Sequence, residues 1–446
     1  RPPGRMPPGT EKRQMKGGGY MASDIMGLVI MCICIVLFLT RLIPTVVTGV
    51  LGCLLMVLTG AANFEDVFSS FSDSIVILMF CAMIVGIAMF QTGAAPVLGR
   101  VVIKWAHGDE RIFLFSSCLI TGILAMFLAN TAILAAMIPI VDSVCRTSAH
   151  IRRRNLLLPI ACSIMIGGAC TLVGCTPQLT ANALLLKMSG VEMGMWTLTG
   201  PGLALFVIFL AYLFLFGYRD GKRLWGDRQE WVMSEKEEKI DSVLQPHHNR
   251  RKLIIMFGIV VLMIISYIAG IVPVVVTAMC AALLCILTRC CTVNDVVREM
   301  NWETVIFLGS CLGLGNALTV SGTGELMGES MTAVLGDISS PYLVFIVLTV
   351  STLFLSQFIT NSTAIIIVLP IALALCENYG FNPMTFGVGI TLAASVACCT
   401  PLAASQITMT QVAGYQFSDY LKFGWKPSIL FLAGILLFVP LFYPLV

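Results

Sequence analysis

The sequence FLANTAILAAMIPI at residues 127–140 has a second copy in the chain, FITNSTAIIIVLPI at residues 358–371. In both copies an Asn precedes a Pro at the same spacing, and a short polar cluster around the Asn interrupts an apolar run. The apolar arms cover residues 112–128 and 132–145 in the first copy and residues 342–358 and 364–376 in the second. Because a membrane-spanning helix needs about 20 apolar residues and every arm is shorter, each copy predicts a re-entrant helical hairpin. Irregular backbone at membrane depth is tolerated only where it is buried in protein or lines a cavity, so both tips are candidate sites.

The composition indicates an all-α membrane protein with many spans. The chain has 446 residues, of which 58% are hydrophobic and only 11% are charged, whereas soluble domains carry about 25% charged residues. Most of the 17 Cys lie inside apolar runs, where they are expected to act as small apolar residues rather than in disulfides or metal sites. The four His all fall in loops, which argues against a His-based metal centre.

The hairpins belong to a longer internal repeat. Three landmarks recur at one constant offset, the hairpin Asn residues at a slightly longer one and two Thr-Pro pairs at a slightly shorter one. Each half therefore predicts three spans, a hairpin, a helix broken at its Thr-Pro pair and a final span, which gives ten transmembrane helices, two re-entrant hairpins and two broken helices in two inverted repeats. The landmarks are Pro44 and Pro273, Asp66 and Asp295, and Gly93 and Gly322; the breaks are Thr176-Pro177 and Thr400-Pro401, with helix resuming over residues 402–413.

The distribution of positive charge predicts the orientation. With five crossings in each half, nearly all Lys and Arg side chains beyond the N-terminal tail share one face of the membrane, and only Lys187 lies on the other. The face rich in Lys and Arg is expected to be cytoplasmic. The first hairpin then opens from the cytoplasm, the second from outside, and both termini lie outside.

The repeat also predicts a division into moving and static parts. Residues 1–21 are expected to be a non-native or disordered tail with Met21 as the native start, and short interfacial helices are expected at residues 97–105 and 325–335. The predicted scaffold comprises residues 22–106 and 253–336, the transport-domain halves comprise residues 107–218 and 337–446, and residues 219–252 form a cytoplasmic linker.

The tips and breaks place four half-helix N-termini near the membrane midplane, beginning near Thr131, Pro177, Thr363 and Pro401. Helix N-termini bind anions, and the carbonyls that end the preceding half-helices suit sodium. The predicted spans contain almost no charged residue or His, which disfavours proton coupling. The chain also lacks an HExxH sequence and a GxxxxGK[ST] phosphate-binding loop, so an enzyme or a self-powered pump is disfavoured.

At these residues the chain resembles the divalent anion/sodium symporter family, which comprises dicarboxylate, citrate and sulfate carriers of the ion-transporter superfamily. That family has a Ser-Asn-Thr signature at each tip and a Gly-rich break. Here the tips read Ala129-Asn130-Thr131 and Thr360-Asn361-Ser362, and the break reads TLVGCTPQ over residues 171–178. The resemblance runs from about residue 25 to the C-terminus and implies a dimeric elevator-type carrier in the plasma (inner) membrane, with no catalytic residues and no cofactor beyond sodium as coupling ion.

The resemblance also implies the site residues. Carried over by position, substrate carboxylates would be held by Asn130, Thr131, Asn361 and Ser362, with Cys175, Thr176, Cys399 and Thr400 in the break loops. The sodium sites would use Asn130 with Gly174, and Asn361 with Cys398. The chain departs from the family pattern at Ala129, Cys175, Gln178 and Leu402.

The leading hypothesis is thus a sodium-coupled carrier of a small di- or tricarboxylate or related divalent oxyanion. Three alternatives remain open: an anion exchanger without sodium, the membrane subunit of an ATP-driven, arsenite-type pump, and an anion channel. The expected partners are the anion, sodium, the lipid bilayer and a second copy of the chain, with no nucleic acid.

Overall fold

The described part of the chain is built from α-helices joined by short turns. A computed structural model describes residues 20–40, 42–93, 109–147, 151–225, 250–269, 272–323, 340–401 and 404–446, and within these ranges it contains no β-strand. The helices are α1 (Tyr20–Thr40), α2 (Thr45–Leu58), α3 (Phe64–Phe68), α4 (Ser74–Gln91), α5 (Glu110–Ala125), α6 (Asn130–Thr147), α7 (Arg153–Gly168), α8 (Thr176–Ser189), α9 (Thr199–Tyr212), α10 (Tyr218–Trp225), α11 (Arg250–Ala269), α12 (Val274–Leu287), α13 (Val293–Glu299), α14 (Trp302–Ser321), α15 (Pro341–Ser356), α16 (Asn361–Tyr379), α17 (Pro383–Ser395), α18 (Ser405–Met409) and α19 (Phe417–Phe442).

Several helical segments are long and apolar enough to cross a membrane. In the described residues these are Phe64–Gln91, Thr199–Trp225, Asn361–Tyr379 and Phe417–Phe442, and seven further apolar helices are between 10 and 17 residues long. The predicted all-α membrane fold is confirmed. The count of ten spans and the inverted relation of the two repeats stay predictions.

Corresponding helices of the two halves begin and end in the same backbone conformation. Pro44 precedes α2 at φ −54° and ψ 140°, and Pro273 precedes α12 at φ −53° and ψ 140°. Gly93 follows α4 at φ 72° and Gly322 follows α14 at φ 77°, a left-handed conformation that glycine adopts without a steric penalty. The proline and glycine landmarks that recur at a constant offset therefore mark helix boundaries, while Asp66 and Asp295 lie within α3 and α13.

The helices of the two halves are interleaved rather than packed as separate bundles. Helix α2 packs on α14 and α4 packs on α12, which is the same pairing with the halves exchanged. In the same way α8 packs on α16 and α18 packs on α6. Helices α9 and α19 pack on each other, and the rings of Phe209 and Phe431 lie 5.8 Å apart in that contact. Each helix of the first half, from α1 to α9, thus has its counterpart in the series from α11 to α19.

Both predicted hairpins are present as helix–turn–helix units. Helix α5 ends at Ala125 and α6 begins at Asn130, and α15 ends at Ser356 and α16 begins at Asn361. The second arms are longer than their apolar runs indicated, at 18 and 19 residues. The argument that each arm is too short to span is therefore wrong for α16, which is long and apolar enough to cross a membrane, whereas the apolar part of α6, Asn130–Asp142, is not. The surface of α16 is nearly all buried from Asn361 to Cys376, so this helix lies inside the protein rather than against lipid.

The first broken helix follows the prediction and the second does not. Helix α7 ends at Gly168, and α8 begins at Thr176 with Pro177 in its first turn. Helix α17 ends at Ser395, and the next helix in the described part of the chain is α18, which begins at Ser405 and is five residues long. The predicted continuous helix over residues 402–413 is wrong, because Ala404 is extended at φ −136° and ψ 134° and separates Pro401, in a turn, from α18. Residues 97–105, 325–335 and 226–249, and Leu402 itself, lie outside the described residues.

Candidate functional site

A cavity of about 650 Å³ lies where the two hairpin tips and the two breaks meet. That volume is within the usual range for small-molecule sites, about 300–1,000 Å³. Among the described residues that line the cavity there is no Lys, Arg or His. Its polar lining consists of Thr45, Asn130, Thr131, Cys175, Thr176, Glu299, Asn301, Glu303, Thr360, Asn361, Ser362, Ser395, Ser405 and Gln406, with Tyr267 on one wall.

Asn130 at the first tip is buried beside the first break. Its side chain is 8% exposed, and Nδ2 donates a hydrogen bond to the Sγ of Cys175 at 2.7 Å. Its Oδ1 is buried and has no hydrogen-bond partner. A buried amide oxygen without a donor costs about 1–3 kcal/mol, so this atom indicates a ligand that supplies a donor or a positive charge.

Two glycines allow the first tip and the first break to approach each other. A Cβ at Gly168 would lie 2.6 Å from Cys175 Sγ and 2.7 Å from Asn130 Oδ1. A Cβ at Gly174 would overlap the carbonyl oxygen of Gly168. Asn130, Gly174 and Cys175 therefore converge around Gly168. The structure brings together the pair that the family resemblance implied for the first sodium ion.

The second tip also carries an Asn, but different residues surround it. The hydroxyl of Thr360 caps α16, lying 2.6 Å from the hydroxyl of Thr363 and accepting from its backbone N–H. Asn361 is 8% exposed, and its Oδ1 is a second buried amide oxygen without a partner. Ser362 is also buried and lines the cavity. The two tips thus offer two oxygen atoms that the protein leaves unpaired.

Cys398, Cys399 and Thr400 are not among the residues that line the cavity. They bind the second break to its surroundings instead. The N–H of Cys399 donates to Gln357 Oε1 at 2.9 Å, and the Thr400 hydroxyl donates to the backbone carbonyl of Gln357. The Cys398 carbonyl packs so closely on α19 that a Cβ at Gly424 would overlap its oxygen.

The structure corrects how the two breaks correspond. Thr171 donates to the carbonyl of Met126 at the end of α5, and Thr400 makes the equivalent bond to Gln357 at the end of α15. Cys175 and Ala404 both precede a helix in extended conformation, at φ −143° and −136°. The breaks are therefore related by the same offset as the landmarks earlier in the repeat, and the alignment of the Thr-Pro pairs with each other is wrong.

The counterparts of Thr176 and Pro177 are Ser405 and Gln406, and both line the cavity. Sequence reasoning missed these two residues. The signal that could have found them was the constant offset in the earlier part of the repeat.

Neutral hydrogen-bond donors surround the cavity. The side-chain hydroxyls of Thr131, Thr176, Ser362 and Ser405 line it and make no hydrogen bond with any described residue. Helices α6, α8 and α16 begin at the cavity and are 18, 14 and 19 residues long, so each brings the positive end of a helix dipole to it. Helix α18 is too short for this, so the sequence-predicted fourth N-terminus at Pro401 is absent.

Acidic residues lie at one mouth of the cavity, and sequence reasoning missed them because they flank a span rather than interrupt it. Glu299 ends α13, Glu303 lies in the first turn of α14, and both line the cavity. The Nε2 of Gln91, at the end of α4, donates to Glu299 Oε1. Burial raises the pKa of Glu299, an effect that the hydrogen bond from Gln91 opposes.

Comparison with known proteins identifies the family. The sequence model of the citrate transporter family matches residues 35–349 and 338–445 of the chain. The chain belongs to the citrate transporter family. This assignment agrees with the sequence resemblance to carriers of divalent anions. Like the relatives and structures that it matches, this member of the citrate transporter family is a multi-pass membrane transporter rather than an enzyme.

Relatives of this citrate transporter family member include characterised and uncharacterised proteins. An uncharacterized transporter of Methanocaldococcus jannaschii is 25% identical over 429 residues, covering 94% of each chain. The sodium-dependent dicarboxylate transporter SdcS of Staphylococcus saprophyticus is 20% identical over 397 residues, covering 82% of this chain and 75% of the relative.

Two solved structures share the fold. MtrF of Neisseria gonorrhoeae superposes with a TM-score of 0.61 at 12% identity, covering 92% of this chain and 97% of MtrF. The YdaH transporter of Alcanivorax borkumensis superposes with a TM-score of 0.61 at 10% identity, covering 94% of this chain and 98% of YdaH. At these identities the likeness concerns the fold alone.

Proposed function

We propose that the protein is a secondary transporter that carries a small di- or tricarboxylate, or a related divalent oxyanion, together with sodium. The observation that carries this proposal is the pair of buried, unpaired amide oxygens of Asn130 and Asn361, set among free hydroxyls in one cavity. Amide oxygens are ligands for sodium, and hydroxyls and helix N-termini are donors to carboxylates. A cavity that holds both kinds of group suits an anion and its coupling cation.

The anion and the cation occupy neighbouring positions in this proposal. Carboxylate oxygens are held by Thr131, Thr176 and Ser362 and by the N-termini of α6, α8 and α16. The first sodium ion lies between Asn130 and Gly174, whose close approach around Gly168 supports the pairing. The second lies at Asn361. The packing of the Cys398 carbonyl on Gly424 gives no support to Cys398 as a ligand, and Cys399 and Thr400 have a positioning role at Gln357.

Transport of the anion is coupled to sodium because each ion compensates the charge of the other in the cavity. The cavity lining carries two carboxylates and no Lys, Arg or His among the described residues, so a divalent anion entering alone would meet no balancing charge. A sodium ion at each tip supplies that charge close to the substrate. The bound anion in turn stabilises the cations, so each raises the affinity for the other by the same factor.

The predicted inverted topology is part of the proposal, and long-range contacts support it. Arg154 donates to the Ala413 carbonyl and Lys426 pairs with Asp220, which joins segments of the two halves that are assigned to the cytoplasmic face. Lys187 pairs with Asp73 at 3.5 Å, and the hydroxyl of Tyr443 donates to the Thr197 carbonyl, joining loops assigned to the outer face. The acidic mouth at Glu299 then faces the cytoplasm, and the linker at residues 219–252 lies on that side.

The transport movement is proposed to be of the elevator type in a homodimer in the plasma membrane. Helices α1–α4 and α11–α14 form the scaffold, and α5–α9 and α15–α19 form the moving transport domain. The described contacts between the two groups lie mainly where α14 packs on α8 and α4 packs on α6 and α8, which is a narrow connection. A narrow connection between two internally well-packed groups favours movement of one as a rigid body against the other.

Uptake into proteoliposomes tests the proposal. Radiolabelled citrate, succinate and sulfate are offered with an inward sodium gradient, with equal sodium on both sides, and without sodium. We expect saturable uptake of at least one anion that the gradient drives above equilibrium. Uptake that depends on an anion inside but not on sodium would indicate an exchanger, and unsaturable flux would indicate a channel. Uptake only with a partner ATPase and ATP would indicate a pump subunit.

A further inference from the structure

The amide of Gln406 lines the cavity without a protein partner. The side chain is 6% exposed, and it makes no hydrogen bond with any described residue. Helix α18, which carries it, packs against α6 of the first hairpin, and the next residue, Ile407, is completely buried. The backbone around Gln406 is thus fixed in the core beside the cavity, and its amide makes no hydrogen bond with a described residue.

Three other glutamines show that a glutamine near this site ordinarily finds a protein partner. Gln178 donates to the Ser395 hydroxyl at 3.3 Å, although its buried Oε1 has no partner, and Gln91 donates to Glu299. Gln357 accepts from the Cys399 N–H and donates to the Leu353 carbonyl. Gln406 does neither. Because Gln406 lines the cavity and makes no hydrogen bond with a described residue, its amide donor and acceptor are groups available to a ligand in the cavity.

The chemistry of the amide restricts what that ligand offers. A glutamine amide has two N–H donors and a carbonyl acceptor, whereas an ionised carboxylate only accepts. A carboxylate could therefore satisfy the nitrogen of Gln406 and leave its oxygen unpaired. An alcohol hydroxyl both donates and accepts, so it satisfies both ends of the amide.

This inference rests on the proposed function and refines its substrate class. We propose that Gln406 is a specificity-determining residue that recognises a hydroxyl group, so that the transporter prefers a hydroxylated di- or tricarboxylate to the same acid without the hydroxyl. A site built to hydrogen-bond a hydroxyl discriminates strongly against the analogue that lacks it, since the polar group of the site is then left unpaired. The repeat counterpart of Gln406 is Pro177, which has no side-chain donor or acceptor, so the recognition comes from the second half alone.

Competition binding with two matched pairs of acids tests the proposal. Citrate is compared with propane-1,2,3-tricarboxylate, and malate with succinate, each as a competitor of a labelled anion on the purified full-length protein in saturating sodium. For the parent protein we expect the hydroxylated member of the better-binding pair to compete at least about tenfold more strongly, as one lost hydrogen bond to a charged or strongly polar partner predicts.

Two methionine variants make the test specific. Gln406→Met keeps the length of the side chain and removes the amide, and we expect it to reduce the ratio within the pair to about one, mainly by weakening the hydroxylated acid. Gln411→Met is the matched control, because Gln411 is exposed, lies further along the same segment and does not line the cavity. This control is expected to keep the parent ratio, and gel-filtration elution verifies folding of both variants.

The outcomes separate the two proposals. If Gln406→Met binds the acid without the hydroxyl as the parent does, and keeps the parent's ratio of affinities within the pair, the proposed role of Gln406 is overturned. The proposed function then still stands. A parent protein that does not discriminate within either pair also overturns the proposed role of Gln406. A changed sodium dependence with an unchanged ratio would make Gln406 a cation ligand instead. If the parent binds no carboxylate at all, the proposed function itself fails.

Discussion

Two glycines at corresponding positions of the scaffold contact different parts of the other helix group. Gly86 on α4 and Gly315 on α14 are related by the same offset as Pro44 and Pro273. A Cβ at Gly86 would lie 3.2 Å from that of Ala129 at the first tip, whereas one at Gly315 would lie 2.6 Å from Leu184 on α8. Exact symmetry would place Gly315 against Thr360 at the second tip. Among the described residues the helices of the two halves correspond while their contacts are asymmetric, which is the arrangement expected of one of two alternative states of a symmetric carrier.

Cross-linking gives the largest expected effect, because it would stop the proposed elevator movement completely. We expect the double variant Gly86→Cys/Ala129→Cys to form a cross-link under mild oxidation and to lose transport, with activity restored by a reducing agent. If the two halves exchange their contacts between the two states, Gly315 contacts the second tip only in the other state. The double variant Gly315→Cys/Thr360→Cys should then cross-link only in that other state. Peptide mass mapping and transport assays measure both results.

The controls for cross-linking address the native cysteines and the added side chains. Each single Cys variant keeps transport under oxidation if the native cysteines do not interfere, and Gly86→Ser/Ala129→Ser shows whether the added atoms alone are tolerated. Failure of Gly315→Cys/Thr360→Cys to cross-link under any sodium or substrate condition would contradict the exchange of roles between the halves.

Gly168→Ala tests the difference between the two sites directly. The repeat counterpart of Gly168 is Ala397, which is buried, so only the first site requires the absence of a Cβ. The added methyl would lie within 2.8 Å of Asn130 Nδ2 and closer still to Cys175 Sγ. Overpacking of this kind costs about 1–3 kcal/mol, so we expect an approximately ten- to hundredfold weaker apparent affinity for sodium in uptake assays.

Ala397→Gly is the matched control for Gly168→Ala. It removes a methyl group at the corresponding position of the second half and is expected to change the sodium affinity by less than about fivefold. Equal effects of the two variants would mean that the first tip is no more tightly packed than the second.

Much of the fold could be predicted from the sequence because its signals are local. The Asn at each tip, the prolines before α2 and α12 and Thr176-Pro177 before α8 are start signals that lie on the helices they begin. The first turn of α18 contains no proline. The helix is also too short for its apolar residues to show the 3.6-residue spacing that indicates a helix. Its position is decided by tertiary contacts such as Thr400 with Gln357, which sequence spacing does not reveal.

The tip residues of the candidate site could be predicted from the sequence, but the contacts between the tips and the breaks could not. Asn130 and Asn361 stand out as polar residues in apolar runs, and the structure places both at the cavity. The bond from Asn130 to Cys175 joins residues 45 positions apart, and the residue types alone do not indicate it. Gln406 escaped notice because an incorrect alignment of the breaks gave its position no counterpart.

The variants Asn130→Ala and Asn361→Ala measure how unequal the tips are. Each removes one of the unpaired oxygens together with an amide donor, and a hydrogen bond to a charged group contributes about 1.5–3 kcal/mol. We expect at least a tenfold rise in the half-saturating substrate concentration for either variant. The first tip carries Ala129 where the family has Ser, so Asn361→Ala is expected to reduce the sodium dependence more than Asn130→Ala.

A matched Asn control lies outside the cavity. Asn63→Ala removes an exposed side chain that bonds to Asp66, and it is expected to transport as the parent does. Asn182 is unsuitable as a mild control, because its buried Oδ1 accepts from the Met193 N–H at 2.6 Å. If both tip variants bind the substrate as the parent does, the tips only cap their helices and the binding site lies elsewhere.

The charge of Glu299 distinguishes the mouth of the second half from that of the first, where Ser70 stands at the repeat position. Burial raises the pKa of Glu299, with Asp295 acting in the same direction and Gln91 and Arg298 opposing it. A raised pKa means that the carboxylate takes up a proton at a higher pH than an ordinary Glu. As the pH falls through that range the mouth loses one negative charge, and the affinity for an anion entering from that face is expected to rise.

Glu299→Gln is expected to give the smallest effect, because water at the mouth screens the charge, and two unit charges about 4 Å apart in water interact by only about 1 kcal/mol, which corresponds to about a two- to fivefold change in affinity. The variant keeps an acceptor for Gln91 and removes the charge, so it should show the higher affinity at every pH. Dividing its half-saturating concentration by that of the parent at each pH cancels the titration of the substrate itself. The ratio should be lowest at high pH and approach one as the pH falls, while Glu65→Gln, on the exposed surface of the corresponding helix of the first half, should give a ratio near one throughout. A ratio for Glu299→Gln that does not vary with pH would show that the charge of this residue does not act on the entering anion.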